Sequence, residues 1–136
     1  MILGFNEPDS KAQSNLSVER AFEVWPKLEQ SFKDVIVLVS PSATNSLNPW
    51  FESFMEQVDE KKLRVDAIGV HHYGGPASAG FKAKMKRIHD KFHRPLIITE
   101  MAVADWTAKD KTPADNKHTP EEVLSFMKQV LPWMEE

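Results

Sequence analysis

The chain has 136 residues, a formal charge of −3 and 41% hydrophobic residues, enough for one domain with its own core. The mildly acidic balance offers no basic surface for nucleic acid, and no apolar run is long enough to cross a bilayer. Cysteine is absent, which excludes disulfides and thiolate metal sites.

The opening residues lack the basic start, hydrophobic middle and small-residue cleavage site of a secretion signal. Met1–Phe5 reads instead as a buried strand, followed by a polar loop from Asn6 to about Leu16. Ser17 suits the N-cap of a helix with Ala21, Trp25 and Leu28 on one face, and Pro26 within it predicts a kink or an early end. Val35-Ile36-Val37-Leu38-Val39 is a second apolar run, closed by Ser40-Pro41-Ser42. Asn48-Pro49 is a strong helix start, and Phe51, Phe54, Met55 and Val58 then keep the i, i+3, i+4, i+7 stripe. Val65–Val70 predicts a third strand, ending in His71-His72-Tyr73-Gly74-Gly75. A helix carrying Phe81, Met85, Ile88 and Phe92 follows. Pro95-Leu96-Ile97-Ile98-Thr99 predicts a fourth strand, buried on both faces and running into Glu100. After a polar loop from Asp105 to His118, Thr119-Pro120-Glu121-Glu122 combines an N-cap, a first-turn proline and a capping-box glutamate. The last helix stacks Val123, Phe126, Met127, Val130 and Met134.

Strand ends near Phe5, Val39, Val70 and Thr99 recur about every 30 residues, the size of a βαβ unit. Alternating strands and helices at this period predict an α/β fold with a parallel sheet. No linker or low-complexity tract divides it, so residues 1–136 read as one domain.

In parallel α/β folds the working residues gather at the C-terminal ends of the strands. Asn6, Glu7, Ser40, His71, Tyr73 and Glu100 all fall there. Pro8 pushes Glu7 toward extended geometry, so Glu7 is expected to continue its strand. Adjacent strand residues face opposite ways, so His71 and His72 do not suit one metal ion, while His71 and Tyr73 share a face. His71 suits either a satisfied histidine in support or a group that positions a carboxylate. Two glutamates on strands three apart can serve as acid and nucleophile on a glycosidic bond. In a flat sheet they would lie about 14 Å apart, so the pairing requires a curved one. Trp106 suits a sugar platform and core packing equally, whereas Trp50, at a helix start, suits the core.

Gly4-Phe5-Asn6-Glu7-Pro8-Asp9, Val70-His71-His72-Tyr73-Gly74-Gly75 and Ile98-Thr99-Glu100-Met101-Ala102, in that order and spacing, resemble glycoside hydrolase family 128. Asn-Glu-Pro alone is shared widely across clan A; the three motifs together are specific. Ser40-Pro41-Ser42-Ala43 and Trp133-Met134 extend the likeness over nearly the whole chain. The resemblance implies an endo-β-1,3-glucanase with a (β/α)8 barrel. It implies Glu7 as general acid/base at the end of barrel strand four and Glu100 as nucleophile at the end of strand seven. It further implies Asn6, His71, Tyr73 and Trp106 around a β-1,3-glucan, an extracellular setting, and no metal or cofactor.

A complete barrel runs to about 250 residues with eight strands. The expectation is therefore a partial (β/α)8 barrel of about four βα units, matching strands 4–7, in a truncated catalytic domain. Its open edges would favour self-association. The competing expectation is a non-catalytic glucan-binding remnant, and a metal-dependent barrel hydrolase is a third reading.

Overall fold

In the computed structural model residues 1–34, 37–108 and 115–135 are described. Ser17 opens α1 (Val18–Ser31), its hydroxyl accepting from the Arg20 N–H at 3.2 Å, which satisfies one donor that a helix start leaves unpaired. The helix runs through Pro26 and does not stop there. Pro26 is exposed, and the hydrogen bond it forfeits is outweighed by neighbouring Trp25, fully buried with its indole N–H on the Arg64 carbonyl at 3.0 Å. Asn48 caps α2 (Pro49–Glu60) by accepting from the Phe51 N–H at 2.9 Å. Phe51, Phe54, Met55 and Val58 are buried as their stripe predicts. Trp25 meets Phe54 edge-on at 5.3 Å, joining α1 to α2.

The second half holds β1 (Ile68–Gly74), α3 (Ser78–Phe92), β2 (Leu96–Val103) and α4 (Pro120–Met134). α4 begins with the expected Thr119–Glu122 capping box and packs on α3 through Phe81 and Phe126, ring centroids 5.7 Å apart. Met134, expected in the core, is exposed beside an open cleft; Trp133 packs on Phe81 in its place, at 6.1 Å. No helix among the described residues is long and apolar enough to cross a membrane.

β1 and β2 pair in parallel, Ile68 opposite Leu96 and Val70 opposite Ile98, until a bulge after Val70 sets His71 opposite Glu100. The Thr99 hydroxyl, at the bulge, donates to the Val70 carbonyl at 3.3 Å and lies 2.9 Å from the Ser42 hydroxyl. β1 starts later than expected, at Ile68 and not Val65, and both strands run past the ends of their apolar stretches because pairing continues beyond the bulge. His71, Tyr73 and Glu100 therefore lie within strands, not just beyond them. β2 is only partly buried on both faces, contrary to its apolar sequence, since it pairs with β1 alone among the described residues.

Among the described residues the two earlier apolar runs and the residues that follow them form single parallel bridges, Ile2–Leu38, Asn6–Ser42 and Val39–Ala67, and no full strands. Two causes are visible. Pro41 has no N–H to donate, and the Leu38 N–H turns to the Asp66 carboxylate at 2.7 Å. Met1 and Leu3 are exposed, so the expected buried first strand is a half-open edge. The segments still lie side by side in chain order through bonds such as Gly4 N–H to Val39 carbonyl (3.1 Å) and Ser40 N–H to Ala67 carbonyl (2.9 Å). Of the predicted strand and loop, Val35, Ile36 and residues 109–114 lie outside the described residues.

Candidate active site

Glu7 is delivered by a turn. Its φ is +38°, a left-handed value that costs a side-chain-bearing residue on the order of 1–3 kcal/mol. The expected strand continuation through Glu7 is thus replaced by a bend. The surroundings hold it: Glu7 N–H bonds the Ser42 carbonyl at 2.8 Å, Ser10 N–H bonds the Glu7 carbonyl at 3.0 Å, and the Ser14 hydroxyl bonds the Asn6 carbonyl at 2.5 Å. Asp9 ties the same turn to the next loop. Its carboxylate accepts from the Thr44 N–H (2.9 Å), the Thr44 hydroxyl and the Asn48 side-chain amide (2.7 Å), and Asn48 in turn caps α2.

His71 projects from β1 toward Glu7, and Glu100 projects from β2 on the same face, because residues opposite one another across paired strands share a side. His71 Nδ1 lies 2.9 Å from Glu7 Oε1 and 3.4 Å from Glu100 Oε2. The imidazole is 1% exposed, Glu7 17% and Glu100 38%, so the carboxylates face outward above a buried ring. The Tyr73 hydroxyl donates to Glu100 Oε2 at 2.7 Å. That bond, made to the neutral phenol, raises the Tyr73 pKa, with lesser contributions from burial and the negative charges of Glu100 and Glu7. Behind the strand, half-buried Lys84 donates to the His71 carbonyl at 3.2 Å, and burial lowers its pKa.

His72 points the opposite way, as strand alternation requires. It sits edge-on to Phe81 at 4.9 Å and stacked on Phe126 at 6.3 Å, and both ring nitrogens are buried without a partner. Burial, and then the charge of Lys84, depress its pKa. The ligand atoms of Glu7, His71 and Glu100 all lie within 4.8 Å of one another, the set among the described residues able to hold a metal ion. Two carboxylates brought this close are also the arrangement that acid and nucleophile chemistry on a glycosidic bond uses.

Asn6 is exposed beside Glu7, its side chain 3.5 Å from Gln13. Trp106 is 77% exposed and edge-on to Tyr73 at 6.2 Å, so it is not core. Trp50 stacks on Phe54 at 5.6 Å, its indole N–H on the Leu16 carbonyl at 2.8 Å, inside the helical layer. Ser40 stands apart from the site: it is fully buried and accepts from the Gly69 N–H at 2.9 Å. Asp9 and Asp105 hold the loops around the site, yet in sequence they look like ordinary loop acids. Only the Asx-type pattern of an acid two residues before a threonine N–H (Asp105, Thr107) could have singled one out.

The chain matches the family described as "Glycosyl hydrolase catalytic core" over residues 1–136. No curated protein matches it. Among solved structures it is similar to a GH128 subgroup I endo-β-1,3-glucanase of Amycolatopsis mediterranei in complex with laminaripentaose: 29% identity, 93% of this chain, 53% of that one, TM-score 0.80. It is similar to a subgroup V exo-β-1,3-glucanase of Cryptococcus neoformans: 30% identity, 98% and 50% covered, TM-score 0.80. A subgroup III curdlan-specific exo-β-1,3-glucanase of Blastomyces gilchristii in complex with glucose matches at 25% identity, 96% and 54% covered, TM-score 0.72. The chain spans about half the length of these glucanases.

Proposed function

The chain belongs to the glycosyl hydrolase catalytic core family, and from that premise we propose that it carries the acid/base and the nucleophile of a retaining β-1,3-glucan hydrolase. The observation that carries this reading is the convergence of the Glu7 and Glu100 carboxylates on His71, ligand atoms within 4.8 Å. Retaining glycosidases hold their carboxyl groups about 5–5.5 Å apart, whereas inverting ones leave about 6.5–9.5 Å for a water. The spacing here suits direct attack.

Glu100 attacks the anomeric carbon while Glu7 gives its proton to the departing glycosidic oxygen, leaving a glycosyl ester on Glu100. Glu7, now a carboxylate, takes a proton from water; the water oxygen displaces Glu100, and both groups return to their starting states with retention. Tyr73 holds the attacking oxygen of Glu100, and His71 sets the distance between the two acids. Asn6 is placed to bond the sugar beside the cleaved linkage, and Trp106 offers a ring face for another. No metal or cofactor enters these steps. The complexes of similar glucanases with laminari-oligosaccharides support a β-1,3-glucan as the substrate class.

The four parallel segments suit four consecutive βα units of a (β/α)8 barrel, corresponding to its strands 4–7. The free edges beside Ile2 and β2 suit pairing with further strands, those of a second copy included. A non-catalytic glucan-binding role is the second reading, favoured by the openness of the site around Trp106, which is 77% exposed.

Laminarin hydrolysis by the parent and by Glu100→Gln separates the two. We expect the substitution to cut turnover on the order of 10³-fold or more while binding persists. A parent that binds laminarin without cleaving it, and is unaltered by the substitution, overturns the catalytic reading.

A further inference from the structure

We propose that Asp105 is a positioning residue that ties the two ends of the loop after β2 together and so holds the Trp106 indole beside Tyr73 at the mouth of the carboxylate pair. The inference rests on the reading of Trp106 as a sugar platform. The Asp105 side chain is 2% exposed, an uncommon state for a carboxylate unless every lone pair is used. Its Oδ1 accepts from the Thr107 N–H at 2.9 Å and the Thr107 hydroxyl at 2.6 Å, with the Lys117 ammonium at 3.1 Å, and its Oδ2 accepts from the Lys117 N–H at 3.0 Å. One carboxylate, carried just past the end of β2, therefore binds both the residue after Trp106 and the returning end of the loop.

Among the described residues Trp106 has little else to fix it. Its ring is exposed and meets Tyr73 edge-on, the planes 70° apart. An indole on an untethered loop would surrender backbone and rotamer freedom on stacking against a sugar, which weakens binding; a turn locked on both sides has surrendered it already. Because the Tyr73 hydroxyl is bonded to Glu100, the contacts run without a break from Asp105 through Trp106 and Tyr73 to the proposed nucleophile. Asp105 touches no sugar in this arrangement. It acts through Trp106.

The test uses the full chain with Asp105→Ala, Trp106→Ala and the double substitution, and reads two quantities. The first is affinity for laminarihexaose by calorimetry. Each single substitution is expected to weaken it roughly tenfold, and the double to be no worse than Trp106→Ala, since the two act as one unit. Additive losses, or an Asp105→Ala variant that binds like the parent while Trp106→Ala does not, overturn the proposal. The second is the Trp106 indole N–H signal in a ¹H–¹⁵N spectrum, which needs no ligand: Asp105→Ala should broaden or shift it, and an unchanged signal overturns the proposal. Absence of laminarihexaose binding by the parent would sink the platform reading, and with it the purpose assigned to Asp105, even if the indole signal moves. Should Asp105→Ala fail to fold, Asp105→Asn, which keeps the Thr107 contacts on Oδ1 and loses the acceptor for Lys117 N–H, is expected to give an intermediate loss of affinity. Parent-like affinity in that variant counts against the proposal.

Discussion

Tyr73 is the one tyrosine in the chain, so phenolate absorbance reports on it alone. Its hydroxyl donates to Glu100, and that bond raises its pKa above the ordinary value near 10. Glu100→Gln should bring the midpoint back down, and identical titrations of parent and variant would remove Tyr73 from the site. His72 supplies a second test. Its depressed pKa means that the folded chain binds a proton less readily than the unfolded one, whose histidine titrates near 6.5. Stability from this group is therefore complete above about pH 6.5 and is lost as the pH falls below it. Replacing His72 by Phe, flanked by Phe81 and Phe126, should reduce the loss in urea midpoint between pH 7.5 and 5; an equal loss in both proteins refutes the assignment. At this scale the sequence exposed the carboxylates, because a glutamate closing an apolar run is conspicuous. It hid the +38° φ of Glu7, which Pro8 argues against and which hydrogen bonds donated to the Ser42 carbonyl and received from Ser10 and Ser14 help to sustain.

Helices were legible and strands less so. Caps at Ser17, Asn48 and Thr119 and the apolar stripes of α2 and α3 are local signals, satisfied within a few residues. A strand depends on partners remote in sequence, and here the two early runs reach their neighbours through isolated bridges. Gly4 shows how tight that contact is. A Cβ there would stand 2.7 Å from the Pro41 nitrogen and 2.8 Å from the Ser40 carbonyl carbon, both backbone atoms. A Cβ at Gly69 would meet chiefly the Ser42 hydroxyl, which can rotate away at the expense of its bond to Thr99. Gly4→Ala should accordingly destabilise by about 1–3 kcal/mol and by more than Gly69→Ala in chemical denaturation; the reverse order would show that the strands slide freely. The bulge after Val70 had no sequence signal, yet it brings His71 level with Glu100.

At the scale of the whole molecule, apolar sequence and open surface disagree. β2 is apolar on both faces but only half-buried, and a cleft of about 230 Å³ lined by Met85, Leu96, Ile98, Trp133 and Met134 stands open beside it. Leu3 is exposed on the opposite edge. Unpaired apolar strand edges recruit other strands, so the isolated chain is expected to run as a dimer or larger species by light scattering and to cleave laminarin poorly. Leu3→Lys should raise the monomer fraction; a monodisperse monomer with ordinary glucanase turnover contradicts this expectation. By itself the sequence determined the α/β order, the helix caps, the two conspicuous glutamates and the family likeness, since each is written in neighbouring residues or in motif spacing. The tertiary structure alone decided that the carboxylates meet over one buried histidine, that Glu7 bends where it was expected to run straight, and that Asp9 and Asp105 brace the loops. Those features arise from distances between residues far apart in the chain, and no local pattern encodes such distances.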